Sequence, residues 1–302
     1  KEALEKTTCL CFLKFYSETG MPHLNFATMA KVVKSNPSLR TLTARFRSYQ
    51  MTGFRSFCSE VGRARVLASL DISVRFPSNK DVSALAMVIR NEGTSPLRQL
   101  RLRMISRAGD LIDIILSVGS NKFLETFTLS AVWRFPSTDD SILIGYLLGL
   151  LIRENTTLRN LDIDLCQVSP KAVEPPTLLA LANNNSTLRR FRLVFDKPEY
   201  EEIGTKKLSA EEMESLVTKN TWLRKVSLSP WHSGGSYNRF FDRYTKINTD
   251  LWRPYRLLSI LLPRTQSPYH VVAELIMHYL LQTRKERTAR LLEDYKRSLE
   301  IV

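Results

Sequence analysis

Residues 155–163 read Asn155-Thr156-Thr157-Leu158-Arg159-Asn160-Leu161-Asp162-Ile163. Leu158, Leu161 and Ile163 are the apolar positions, with Leu161 and Ile163 two apart. An interval of two is that of a strand, whose successive side chains point to opposite faces. Leu161 and Ile163 therefore share one face, and Asn160, Asp162 and Asp164 the other. Asn155 stands just upstream. Asparagine tolerates a left-handed backbone, so it suits the residue that ends a helix. The stretch reads as a helix stop, a turn and a strand.

The same spacing recurs along the chain. It appears at Leu10/Leu13/Phe15, Leu39/Leu42/Ala44, Leu67/Leu70/Ile72 and Leu97/Leu100/Leu102. It continues at Leu124/Phe127/Leu129, Leu188/Phe191/Leu193 and Leu223/Val226/Leu228. The steps between first positions are 29, 28, 30, 27, 34, 30 and 35 residues, too regular for chance matches in a leucine-rich chain. The asparagine lead-in travels with it, at Asn36-Pro37-Ser38, Asn121-Lys122-Phe123, Asn185-Ser186-Thr187 and Asn220-Thr221-Trp222. The Asn-x-Ser/Thr matches at Asn155, Asn184 and Asn185 are thereby read as helix stops rather than sugar attachment sites.

Between the motifs lie helical patterns: Leu24 to Lys34, Asp81 to Asn91, Asp110 to Val118 and Asp139 to Arg153. The apolar run from Ile142 to Ile152 is too short for a membrane span and reads as a buried helix. Asp139 and Asp140 open that helix, where acids complement its dipole. After Ser169-Pro170 a helix is broken by Pro175-Pro176 and restarts at Thr177. Ser209-Ala210-Glu211-Glu212 is a capping box for a helix ending near Lys219. Strand and helix thus alternate in about eight degenerate units. That predicts an α/β fold with parallel strands joined by helical crossovers, and stacking buries what no unit can bury alone.

On these residues the chain resembles the leucine-rich-repeat family. The long repeat and the Asn-Thr-Thr-Leu lead-in are similar to its ribonuclease-inhibitor-like subfamily. The resemblance runs from about Leu4 to Pro230 and implies a solenoid curved into a horseshoe, with recognition on its concave strand face. The family usually places Asn or Cys three positions after the last core strand residue. Here Cys166 fits and Asp196 partly matches, while Arg75, Ile105, Val132 and Trp231 depart, so an irregular arc is expected. Some family members activate GTPases, but none of their catalytic residues carries over.

Residues 1–230 form the expected repeat domain, and residues 231–302 a helical extension. Trp231 to Ser236 reads as a loop, and Trp252 to Leu262 and Pro268 to about Ser298 as helices. The stripe Val271, Val272, Leu275, Ile276, Tyr279 and Leu280 needs a surface, and the open end of the solenoid supplies one. Leu10, Leu13 and Phe15 already match the repeat, and the residues before them, among them Glu2, Lys6, Thr7 and Thr8, make a poor cover. The native protein is therefore expected to continue upstream of Lys1.

Composition narrows the function. A net charge of +14 favours acidic partners: acidic proteins, nucleic acid or anionic lipid. The basic residues are scattered among acids, which reads as a solvated surface. Four sparsely spaced cysteines, Cys9, Cys11, Cys58 and Cys166, make no disulfide framework and point to an intracellular, cytoplasmic home. Cys9 and Cys11 flank Leu10 and read as a buried pair. His23, His232, His270 and His278 are not in metal-ligand spacing, and no nucleophile elbow, phosphate loop or dinucleotide fingerprint occurs. Gly234-Gly235 reads as a flexible loop. No catalytic, cofactor or metal site is expected.

The remaining candidate is the face between the core residues. Strand periodicity assigns to it Phe12, Lys14, Tyr16; Thr41, Thr43, Arg45; Ser69, Asp71, Ser73; and Gln99, Arg101, Arg103. The next strands contribute Thr126, Thr128, Ser130; Asn160, Asp162, Asp164; Arg190, Arg192, Val194; and Lys225, Ser227, Ser229. The partner-binding set expected from it is Tyr16, Arg45, Asp71, Gln99, Arg101, Arg103, Thr128, Asp162, Asp164, Arg190, Arg192 and Lys225. Asp162 and Asp164 either receive a basic group or pair with Arg190 and Arg192 on the next strand. A face of both signs suits a protein partner with an acidic patch better than a phosphate backbone. The expectation is a protein-recognition module of a larger receptor, adaptor or effector, and the alternative is a nucleic-acid-binding scaffold driven by the basic surface.

Overall fold

Apolar residues at every second position make the strands: β1 (Phe12–Ser17), β2 (Thr41–Phe46), β3 (Ser69–Arg75), β4 (Gln99–Ser106), β5 (Thr126–Trp133), β6 (Asn160–Cys166), β7 (Arg190–Phe195) and β8 (Lys225–Ser229). In the computed structural model these form one parallel sheet ordered β1 to β8 as in the sequence. The structure describes residues 10–17, 25–46, 51–75, 78–90, 96–133, 138–166, 180, 187–195, 211, 214, 223, 225–229, 243, 244, 246, 247, 250 and 269–300. The helices are α1 (Phe26–Ser35), α2 (Phe54–Arg63), α3 (Asn79–Arg90), α4 (Ala108–Ser120), α5 (Thr138–Glu154) and α6 (Tyr269–Glu300). The α/β architecture is consistent with a strand-helix repeat solenoid.

One register runs across the sheet. Leu13, Leu42, Leu70, Leu100, Phe127, Leu161, Phe191 and Val226 are successive partners. A slip of one residue would turn a whole strand's apolar set into water, so the shared core fixes the alignment. From β2 to β7 these residues are buried, and so are Ala44, Ile72, Leu102, Leu129, Ile163 and Leu193. They join the inward faces of α1 to α5 in one apolar cluster. Each such side chain contributes about 1.5–3 kcal/mol on leaving water.

Four helical patterns became helices a residue or two from the expected bounds, and the proline-started C-terminal pattern became α6. The segments expected to be helical at 170–187, 209–219 and 252–262 lie largely outside the described residues; within them Ala180, Glu211 and Glu214 are helical. Sequence reasoning did not anticipate α2. Its Phe54, Phe57, Cys58 and Val61 recur at helical spacing and are buried. Phe54 and Phe57 pack on Phe26 of α1, with ring centroids 4.8 and 5.1 Å away. Gly53 starts α2 at φ 79°, and a Cβ there would come within 2.5 Å of Ala27, so both the backbone and the approach of α1 require glycine.

Asn36 and Asn121 end helices as expected, but not with left-handed backbones, and Asn185 and Asn220 lie outside the described residues. Asn36 closes α1 at φ −121° and Asn121 closes α4 at φ −73°. Their side chains do the capping instead. Asn121 Nδ2 donates to the Ile89 carbonyl near the end of α3, and its Oδ1 accepts from the Phe123 and Leu124 N–H groups at 2.7 and 2.6 Å. Asn155 repeats the device. Its Nδ2 donates to the carbonyls of Val118 (3.2 Å) and Asn121 (3.1 Å), and its Oδ1 accepts from Thr157 N and Leu158 N. Asn155 is buried and its amide is used, so the folded chain cannot present it for glycosylation. Asn184 and Asn185 lie outside the described residues.

Two further expectations bear on packing. Cys11 is exposed, not half of a buried pair, and Cys9 lies outside the described residues. In α6 the described buried apolar residues are Leu291 and Leu292, which the expected stripe did not include, and both join the apolar cluster with Tyr244 and Leu223. The side chains of Val271 to Ile276 lie outside the described residues, and Leu281 is exposed. Arg243 approaches Asp294 of the same helix at 3.7 Å. Among the described residues no helix is long and apolar enough to cross a membrane.

Candidate functional site: the open face of the sheet

A parallel sheet is ordinarily covered on both faces by its crossover helices. Here α1 to α5 pack on one face, with consecutive helices in contact, and the alternate strand residues on the other face stay in contact with water. The strand order never reverses, so the sheet lacks the switch-point crevice where open α/β folds usually bind small ligands. The open face is the distinctive surface.

Three rows of side chains cross it. Phe12, Thr41, Ser69, Gln99, Thr126, Asn160, Arg190 and Lys225 are successive register partners. The second row is Lys14, Thr43, Asp71, Arg101, Thr128, Asp162, Arg192 and Ser227. The third includes Tyr16 beside Arg45, and the run Ser73, Arg103, Ser130, Asp164, Val194 and Ser229. The alignment is the one strand periodicity assigned. Tyr16, Gln99, Arg101, Arg103, Arg190 and Arg192 are exposed, and Arg45, Asp71, Thr128, Asp162 and Asp164 are half-buried. Lys225 holds its place on β8, and its side chain lies outside the described set. Thr43 is an exception: between Lys14 and Asp71 in register, it is buried.

Several of these charges satisfy one another. Arg45 forks onto both oxygens of Asp71 on the adjacent strand, and its guanidinium lies 5.4 Å from the Tyr16 ring centroid. The Asp71 hydrogen bond raises the Arg45 pKa further, against the cost of burial. Tyr16, Arg45 and Asp71 thus form one chain across three strands. Arg192 donates to Asp162 at 2.8 Å, which is the internal pairing weighed above. Arg101 and Arg103 differ: they form no ion pair among the described residues.

Other chemistry is sparse. Among the described residues no three His, Cys, Asp or Glu side chains gather as a metal site would require. His278 is exposed on α6, while His23 and His232 lie outside the described residues. Burial pushes the Cys58 thiol far up, with Asp81 adding to the shift, which leaves little thiolate for nucleophilic work. Burial also raises Asp110, while the Arg107 N–H it accepts from works the other way. Sequence reasoning passed over one feature, the arginine that follows a unit's first core leucine: Leu39-Arg40, Leu97-Arg98, Leu158-Arg159, Leu188-Arg189 and Leu223-Arg224. The repeated Leu-Arg pair was a readable signal. Compared with known protein families and curated proteins, the chain matches none.

Proposed function

We propose that this chain is a leucine-rich-repeat horseshoe whose open sheet face recognises an acidic patch on a protein partner, inside the cell and without catalysis. The observation that carries the reading is that Arg101 and Arg103 on β4 form no ion pair among the described residues, at the middle of a face where Arg45 and Arg192 are already bonded to acids. Two guanidinium forks on one strand offer planar, bidentate donors that match carboxylates. The mixed signs around them favour a protein surface of complementary pattern over a uniformly anionic polymer. The likeness to ribonuclease-inhibitor-like repeats rests on the Asn-x-x-Leu lead-ins and the buried Asn caps, and the curvature follows from helices being wider than strands on opposite sides of one stack.

Affinity capture from native cells with the wild-type chain, followed by mass spectrometry, identifies the partner. Replacing Arg101→Glu and Arg103→Glu together is expected to weaken its binding by at least about 100-fold, since each of the two charged hydrogen bonds lost contributes about 1.5–3 kcal/mol. Stability should move by less than about 0.5 kcal/mol, because both side chains face water. A double variant that binds normally, while Tyr146→Ala on the helix side loses the partner, would place the site on the wrong face.

A further inference from the structure

The residue after each unit's first core leucine lies where its strand begins, and the backbone stacks these positions into a row. Ala68 N donates to the Arg40 carbonyl (2.8 Å), Arg98 N to Ala68 (2.9 Å) and Glu125 N to Arg98 (2.8 Å). Arg159 N donates to Glu125 (2.8 Å) and Arg189 N to Arg159 (2.7 Å). With neighbouring strands about 4.8 Å apart, this row is a regular ladder along the rim of the sheet. Between β4 and β7 it lines a groove of about 490 Å³, together with Lys122 and Phe123. Among the described residues the lining carries Arg98, Lys122, Arg159 and Arg189 and one acid, Glu125, which Arg98 holds at 2.9 Å. Lys122 and Arg159 form no ion pair among the described residues. Phe123 is 52% exposed, an apolar ring left in water inside a basic groove.

Cations near helix C-termini complement the dipole, and that role needs no ligand. Here the carbonyls at the end of α4 already receive the Asn155 amide. The rim arginines are therefore not needed as caps. The open sheet face mixes signs, whereas the groove carries nearly one sign beside a bare ring. A basic track with an aromatic platform is the combination that holds single-stranded nucleic acid, through phosphates on the cations and a base stacked on the ring. A duplex keeps its bases stacked on one another and offers none to such a ring.

We propose that this rim groove binds a short run of single-stranded nucleic acid, with phosphates on Lys122 and Arg159 and a base on Phe123. The site is separate from the open face and independent of the reading given for it.

Fluorescence anisotropy of labelled oligouridylate and oligothymidylate strands of ~8 nucleotides with the full chain tests this. Affinity should fall linearly with the logarithm of salt, by about 0.7 per phosphate contact. Lys122→Glu with Arg159→Glu should weaken binding at least about tenfold and make the salt slope shallower by roughly 1.4. Lys122→Gln with Arg159→Gln makes the same test should the charge reversal disturb folding, which thermal melting reads. Phe123→Ala should cost about tenfold with the slope unchanged. Lys80→Glu, exposed on α3 away from the groove, should have little effect. The proposal fails if the wild-type chain binds no single strand at low salt, or if it binds duplex equally well. It fails too if the Lys122 and Arg159 variants bind normally, or if Phe123→Ala changes nothing, since the groove would then be a plain polyanion surface.

Discussion

At the residue scale, Asn155 shows how one side chain can join two units. Its amide satisfies carbonyls at the end of α4, and its oxygen shapes the turn into β6. Asn155→Ala would leave several buried groups without partners, at about 1–3 kcal/mol for each group left unsatisfied. We expect a total loss of roughly 2–4 kcal/mol, read as a lower midpoint in denaturant unfolding. An unchanged midpoint would mean that water replaces the amide. The sequence placed this residue correctly but did not foresee its side-chain bonds, because asparagine's tolerance of a left-handed backbone is a general rule while a hydrogen bond reaching back one unit is not local. The Arg45–Asp71 pair was hidden for a related reason. It runs diagonally between strands, and period-two reasoning aligns rows without saying which charges cross between them.

At the element scale, the strands were the most legible part. Their apolar positions lie at fixed offsets from each first leucine, and burial of one face leaves no second register open. The helix α2 was missed although Phe54, Phe57, Cys58 and Val61 have helical spacing. It begins at Gly53 with no capping side chain, so the usual start signal is absent. For α6 most of the expected stripe lies outside the described side chains, and Leu291 and Leu292 bring the charged half of the helix onto the apolar cluster. This motivates a test of the proposed cap. Deleting residues 267–302 should expose apolar surface, lower the melting midpoint and promote aggregation. An unchanged midpoint with full solubility would show that the helix is a free tail.

At the scale of the whole molecule, eight strands in sequence order give each unit contacts with its neighbours along the stack. The proposed horseshoe therefore predicts an elongated particle. Small-angle scattering should give a radius of gyration clearly above the value of about 19 Å expected for a compact globule of this length. A value at that figure would argue for closure into a compact body. The candidate site was legible as a surface, because alternation decides which residues face out. That Arg101 and Arg103 form no ion pair among the described residues was not, because it depends on neighbours in space. One consequence reaches beyond this chain's present form. Asn121 bonds back to the end of α3 and Asn155 to the end of α4, so these two junctions each carry a donor and meet acceptors of the same kind. A segment running from one such asparagine to the next could be duplicated or lost in a single genetic event with every junction still chemically complete. Growth by whole units is thus the mutation this architecture accommodates at the least cost.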